Sequence, residues 1–252
     1  MSAQTPKPNV VIIMTDQQRA DLCGREGFPM AVTPFVDSLA LSNVWFDKAY
    51  TVAPASMPAR CSMFTGRYPT ATHVRTNHNT PDMYYKKDML EVFKEQGYKT
   101  ALLGKNHAHV KGKDFDYCEE YFHWGKNQRD TQEFAFFLNN KARGQYLEAT
   151  PFPAEAQNPV KMVTKALAWA EQQKDSAFFM WVSMPEPHNP YQISEPYFSM
   201  FSPEKIPATL TSRNDLSKKG NKYEILAELE DTACPNLAKD LPRLRGNYLG
   251  ML

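Results

Sequence analysis

The chain has 252 residues, 42% hydrophobic and 23% charged, which is enough to enclose a sizeable core in one large α/β domain. A formal net charge of +1 excludes a global field that would recruit nucleic acid or an anionic membrane. No apolar run reaches the roughly 18 residues that a membrane helix needs. The four cysteines are widely spaced and form no metal-ligand pattern.

The first elements alternate apolar runs with an amphipathic segment. Residues 10–14 form a continuous apolar run, which predicts a strand buried on both faces of a parallel sheet. A Thr-Pro pair begins a predicted helix over 33–43, whose apolar residues recur at helical spacing. Residues 44–52 are predicted to form a strand that leads into a turn at Ser56.

The second half of the chain continues the alternation. Predicted helices cover 89–96 and 161–173, and predicted strands cover 100–103 and 177–182. The intervening segment, 111–158, has many aromatic residues but weak periodicity, so we expect an insertion near the substrate site. Together these elements predict an α/β fold with a doubly wound, mostly parallel sheet flanked by helices.

Polar side chains follow three of the predicted strands. Asp16 and Gln17 come after the first, Lys105 and His107 after the strand at 100–103, and His188 shortly after the last. In open α/β sheets, ligands bind at the carboxyl edge of the strands. The sequence therefore predicts that these residues converge on one site.

Residues 56–66 carry the most informative motif, Ser-Met-Pro-Ala-Arg-Cys-Ser-Met-Phe-Thr-Gly. Locally this predicts a helix with Ser56 as N-cap, Pro58 in the first turn and Gly66 past the end, and a helix N-terminus favours an anion. The segment also resembles the serine form of the signature of type I, formylglycine-dependent sulfatases, in the alkaline phosphatase superfamily, and meets every restricted position. The resemblance implies the sulfatase fold and a sulfuric ester hydrolase.

The resemblance assigns five catalytic residues. Ser56 would be oxidised to formylglycine by a sulfatase-maturating enzyme, and the hydrated aldehyde would act as nucleophile. Arg60 would stabilise the hydrated aldehyde, and Lys105 would bind a sulfate oxygen. His107 would accept a proton during turnover, and His188 would protonate the leaving oxygen. A serine at the first position of the motif is typical of bacterial members of the family.

The resemblance also implies a metal site, normally calcium, with Mg²⁺ as an alternative. Asp16, Gln17 and Ser56 occupy the matching positions. Gln17 stands where the family has aspartate, so the site loses one negative charge and we expect weaker binding. Two polar residues after a strand could instead form an ordinary turn.

Three further residues are weaker candidates for substrate binding. Asn77 and His78 follow the motif helix and could contact substrate hydroxyls, although a polar loop would have the same composition. His109 could share a face with His107 in an extended segment, or it could be structural.

The resemblance extends over 1–252 but covers only the N-terminal portion of the family's fold. Residues 241–252 resemble the start of a helix that in the family precedes an Asp-Asn pair and a lysine. We therefore expect an incomplete C-terminal side, exposed apolar surface and weak activity. The first residues lack an apolar signal core, which predicts a periplasmic or secreted protein if a signal peptide was removed and a cytoplasmic one otherwise.

The predicted function is hydrolysis of a sulfate ester, with a carbohydrate such as a sulfated glycan as the expected carrier. One alternative is a phosphonate monoester or phosphodiester hydrolase of the same superfamily. Another, from a different class, is a binding protein in which Ser56 stays unmodified. Activity on aryl sulfate against aryl phosphodiester separates the first two, and the mass of the Ser56 peptide tests the third.

Overall fold

Four parallel strands form the sheet in the part of the chain that the computed structural model describes, residues 7–121 and 145–252. They are β1 (Val10–Met14), β2 (Lys99–Gly104), β3 (Tyr117–Glu120) and β4 (Phe178–Ser183). The order is β1-β4-β2-β3, and every pairing is parallel. The two central strands, β2 and β4, are therefore separated in sequence but adjacent in space.

Helices connect the strands and follow the last one. In chain order they are α1 (Pro34–Ser42), α2 (Ser56–Thr65), α3 (Pro69–Thr72), α4 (Met89–Glu95), α5 (Asn158–Glu171), α6 (Tyr197–Met200), α7 (Asn221–Ala233) and α8 (Leu237–Met251). None of these helices, within the described residues, combines the length and apolarity needed to cross a membrane.

The sheet is covered on both faces. On one face Phe64 of α2 and Leu90 of α4 pack in a cluster with Trp181 of β4. On the other, Ala166 and Trp169 of α5 pack in a cluster with alternate residues of β2 and β4. Because helices lie on both faces of a parallel sheet, the predicted doubly wound α/β fold is confirmed.

β1 differs from the two-sided burial expected from its sequence. Val10, Ile12 and Met14 pack against the core, whereas Val11 is 45% exposed and Ile13 is 68% exposed. β1 is an edge strand of the described sheet and pairs only with β4 there. An apolar run indicates a strand but does not distinguish a central strand from an edge strand, so the prediction of two-sided burial was wrong.

Three other segments differ from expectation. Residues 44–52, predicted as a strand, form no strand, and most of their side chains are exposed. The segment 111–158 contains β3, which the sequence did not indicate and which pairs with β2. Residues 122–144 of that expected insertion lie outside the described residues. The helix predicted over 161–173 begins earlier, at Asn158.

The motif helix begins one residue earlier than predicted. Ala55, with extended backbone, is the N-cap, and Ser56 is the first helical residue of α2. Ser56 as N-cap was therefore wrong. Gly66 ends the helix at φ 63°, as expected, because this left-handed conformation is accessible to glycine without a steric penalty.

Candidate active site

The carboxyl ends of β1, β2 and β4 are joined by backbone hydrogen bonds that continue beyond the strands. Met184 N–H donates to Met14 O at 2.7 Å, and Asp16 N–H donates to Glu186 O at 3.0 Å. Lys105 N–H donates to the carbonyl of Ser183 at 2.7 Å. The turns that carry Asp16 and Lys105 are thereby fixed to the end of β4.

Gly104 is required for this arrangement. Its φ of 104° lies in a region that favours glycine. A Cβ at this position would overlap the backbone carbonyl of Ser183. The close approach of β2 to β4 therefore depends on glycine at the position immediately before Lys105.

Arg60, one turn along α2, contacts three of the other predicted site residues. Its Nε donates to Ser56 Oγ at 3.1 Å, and Nη1 donates to the Lys105 carbonyl at 3.1 Å and to Ser183 Oγ at 2.5 Å. Nη2 donates to Asp16 Oδ2 at 3.4 Å. Arg60 is only 3% exposed, so its guanidinium is fixed by the protein.

A second cation lies on the same carboxylate. Lys105 Nζ donates to Asp16 Oδ2, the oxygen that also accepts from Arg60. Burial lowers the pKa of both Arg60 and Lys105, while the negative charge of Asp16 opposes that effect. Two cations and one anion leave an excess of positive charge, which suits an anionic ligand.

His107 is held as a neutral imidazole. Burial, followed by the charges of Lys105 and Arg60, lowers the pKa of His107 from 6.5 to about 4. His188 is close enough for its charge to lower the pKa of His107 as well. His107 has a φ of 41°, a left-handed conformation that is uncommon for non-glycine residues.

The tautomer of His188 follows from its backbone contact. Its Nδ1 lies 2.7 Å from the carbonyl oxygen of Asn189. A carbonyl oxygen can only accept, so Nδ1 carries a proton and Nε2 is the nitrogen that can exchange one. His188 is half-buried, on the segment that follows β4.

The N-terminus of α2 offers few free amides. Met57 N–H donates to Asn77 Oδ1 at 3.0 Å, and Pro58 has no N–H. Charged side chains therefore matter more here than the helix amides. Asn77 contacts the helix through this hydrogen bond, and both Asn77 and His78 are exposed.

His109 lies away from the cation cluster. Its Nε2 is 2.8 Å from Asp88 Oδ2, and the two side chains are 5% and 3% exposed. Asp88 also caps α4 by accepting from Glu91 N–H. The His109 ring packs against Tyr85 and Phe64. These contacts favour the structural alternative for His109.

The predicted metal ligands lie beside a cavity of about 670 Å³ that Asp16, Gln17, Ser56 and Arg60 help to line. Gln17 is exposed and has a φ of 59°. Its carbonyl accepts from the Tyr248 hydroxyl at 2.5 Å. The oxygen donors are of the kind that hard cations prefer. However, the described residues contain no group of three His, Cys, Asp or Glu side chains able to hold a metal.

Three residues of this region were not anticipated from the sequence. Ser183 accepts from Arg60, Trp181 places its ring centroid 5.5 Å from Arg60 Cζ, and Tyr248 holds the Gln17 turn. Ser183 ends an apolar run, the signal that drew attention to Asp16. The other two carry no local signal, because their roles depend on distant contacts.

Comparisons with known proteins agree with this fold. The family model described as Sulfatase matches residues 8–252. An ulvan-active sulfatase from Formosa agariphila is 32% identical over 216 residues, covering 79% of this chain and 39% of that protein.

Two solved structures show the same fold. The phosphonate monoester hydrolase of Agrobacterium radiobacter has a TM-score of 0.79 at 20% identity, covering 97% of this chain and 56% of that one. A protein bound to its substrate, D-glucosamine-2-N,6-O-disulfate, has a TM-score of 0.65 at 18% identity, covering 98% and 59%. The chain thus spans about half the length of the proteins it matches. Since the family model covers nearly all of it, the chain belongs to the sulfatase family.

Proposed function

We propose that the protein contributes to hydrolysis of a sulfate ester at the carboxyl edge of the sheet. The observation that carries the proposal is the buried cluster in which Arg60 contacts Ser56, the first residue of the motif, and shares Asp16 with Lys105. This cluster puts excess positive charge beside the residue that would become the nucleophile. Family membership supports the same reaction.

Each of four side chains would have a separate role in hydrolysis. Lys105 would hold a sulfate oxygen as a point charge. Arg60 fixes the position of the Ser56 oxygen through its Nε hydrogen bond. His107, with a pKa of about 4, is neutral at pH 7 and can accept a proton. His188 would deliver a proton to the leaving oxygen from Nε2.

Ser56 fits the role of formylglycine precursor. It is half-buried beside the cavity, and its oxygen already accepts from Arg60. Formylglycine would supply a hydrated aldehyde whose oxygen attacks sulfur and whose second hydroxyl allows sulfate to leave. Conversion requires a sulfatase-maturating enzyme as partner.

A divalent cation would be held by Asp16, Gln17 and the residue at 56. Their oxygens fit calcium in kind, with Mg²⁺ as the alternative, but three ligands are fewer than the about six to eight that calcium takes. The cation would supply positive charge for the sulfate oxygens. We expect weak binding to this chain.

Mass spectrometry of the tryptic peptide 49–60 tests the nucleophile. After co-expression with a serine-type maturating enzyme, we expect a peptide lighter by two hydrogens, and hydrolysis of 4-nitrophenyl sulfate that is lost in Ser56→Ala. Activity that is equal in Ser56→Ala would contradict the proposal. A peptide that stays unmodified would favour the alternative of a binding protein.

A sulfated carbohydrate is the substrate class we propose. The solved structure bound to D-glucosamine-2-N,6-O-disulfate and the ulvan-active relative support it. The phosphonate monoester hydrolase alternative is supported only by likeness of fold. Assays with 4-nitrophenyl sulfate and 4-nitrophenyl phenylphosphonate compare the two. We expect preference for the sulfate, and the reverse preference would support the alternative.

A further inference from the structure

A buried serine at the end of β4 contacts the side chain of Arg60 and the backbone of Lys105. Ser183 is 0% exposed. Its Oγ lies 2.5 Å from Arg60 Nη1, and its carbonyl accepts from the Lys105 N–H at 2.7 Å. One residue therefore connects the motif helix with the turn that follows β2.

The hydrogen bonds of Arg60 show why this contact matters. A guanidinium has five N–H donors, and four hydrogen bonds are formed here, to Ser56, Lys105, Ser183 and Asp16. Among these four residues, Ser183 is the one with no role in the proposed reaction.

Trp181 constrains the same group from another direction. It precedes Ser183 by two positions in β4, so both side chains lie on one face of the sheet. The Trp181 ring centroid is 5.5 Å from Arg60 Cζ, a cation–π distance. The indole limits tilting of the guanidinium, but a ring face cannot replace a hydrogen-bond acceptor at Nη1. Rotation of the guanidinium is therefore opposed mainly by its acceptors, including Ser183.

We propose that Ser183 is a positioning residue of the active site. It orients the Arg60 guanidinium toward Ser56 and Asp16 and does not itself touch substrate. Loss of the hydroxyl leaves a buried Nη1 donor without that acceptor, and the guanidinium rotates to recover a partner. The orienting effect on Arg60 does not depend on the proposed function. Only the expected effect on sulfate binding rests on it.

Side-chain ¹⁵N NMR of Arg60 tests the positioning role without any substrate. In the unsubstituted protein we expect separate, slowly exchanging Nη proton signals, because rotation is restrained. In Ser183→Ala these signals should merge or exchange rapidly. Ser194→Ala is the matched control: Ser194 is also 0% exposed, and its Oγ has no hydrogen-bond partner among the described residues. Backbone spectra of both variants verify that each is folded.

Titration with inorganic sulfate tests the functional consequence. Ser183→Ala should weaken sulfate binding about tenfold, the effect of one hydrogen bond to a charged group. In an Arg60→Lys background the same substitution should have little further effect, because Ser183 acts through Arg60. A residue that only stabilised the fold would weaken binding equally in both backgrounds.

The outcomes separate the two proposals. Unchanged Arg60 signals in Ser183→Ala, or fully additive losses of sulfate affinity, would overturn the positioning role. Altered Arg60 signals with no sulfate bound by any variant would support the positioning role and count against the proposed function.

Discussion

The two halves of the candidate site are built on strands with different neighbours. The cation side, made of Arg60, Lys105 and Ser183, adjoins the central strands, and each of these residues is at most 6% exposed. The β1 side adjoins an edge strand of the described sheet: Asp16 is buried beside the cations, but Gln17 is exposed, as are Val11 and Ile13 on the outer face of β1 itself.

The difference shows that burial between strands and helices fixes the positions of charged side chains. β2 and β4 have a strand on either side and helices on both faces, so Arg60 and Lys105 are desolvated and held by defined partners. On the β1 side, Gln17 is held by the backbone contact with Tyr248. The cation side is thus preorganised for an anion, while the side chain of Gln17 is less constrained.

The largest expected effect is the loss of Arg60. Arg60→Met removes the charge that four hydrogen bonds hold in place, so we expect the free energy of unfolding to fall by about 3 kcal/mol. Urea unfolding measures this. Arg19→Met is the control, because the Arg19–Asp21 pair is solvent-exposed and should change stability by less than about 1 kcal/mol. Equal losses in both variants would mean that the cation side is not specially stabilised.

The second prediction concerns the pKa of His107. NMR titration should give a midpoint near pH 4. Because Lys105 is one cause of the lowered pKa, Lys105→Met should raise it toward the ordinary 6.5, whereas substitution of the exposed Lys86 by Met should not. A midpoint near 6.5 in the unsubstituted protein would show that burial and the neighbouring cations do not lower the pKa of His107.

The same shift determines how stability depends on pH. The folded pKa lies below the unfolded value, so the unfolded chain binds the proton more tightly. The stabilising contribution of neutral His107 is therefore complete above pH 6.5 and is lost as the pH falls from 6.5 toward 4. His107→Gln should reduce this part of the pH dependence.

A smaller effect is expected where α8 meets the β1 side. The Tyr248 hydroxyl donates to Gln17 O and accepts from Arg19 N–H at 3.0 Å. Tyr248→Phe should destabilise by about 1 kcal/mol and speed amide exchange at Arg19. Tyr191→Phe is the control, since its ring lies 6.0 Å away from the Tyr248 ring. Equal exchange at Arg19 in both variants would show that Tyr248 does not hold this turn.

The sequence predicted the positions of strands and helices well, but it did not predict which strands are adjacent in the sheet. Strands 10–14, 100–103 and 177–182 were recognisable because apolar runs end at polar residues, and α2 was recognisable from its Pro and Gly positions. These signals also pointed to Asp16 and Lys105. Which strand lies at an edge depends on the order of strands in the sheet, and local composition does not contain that information.

Long-range partners were missed for the same reason. Ser183 meets Arg60 across 123 positions, and Tyr248 meets Gln17 across 231. β3 has the sequence Tyr-Cys-Glu-Glu, which lacks an apolar run, and its identity as a strand comes from pairing with β2. Conversely, residues 44–52 have strand-like composition but do not pair with any strand among the described residues.

The last comparison is between two valines on one face of the sheet, and the exposed one carries the smallest expected effect. The register pairs Val11 with Met180 and Ile13 with Val182, so Val11 and Val182 share a face. Val182 is 4% exposed in the cluster with α5, whereas Val11 is 45% exposed.

Thr has nearly the shape of Val, so Val→Thr mainly adds a hydroxyl. Val182→Thr should cost about 1–3 kcal/mol in urea unfolding, because the hydroxyl is buried. Val11→Thr should stay within about 0.5 kcal/mol, because its hydroxyl remains hydrated. A loss in Val11→Thr as large as that in Val182→Thr would show that β1 is covered in solution and that the two sides are not as different as their exposures indicate.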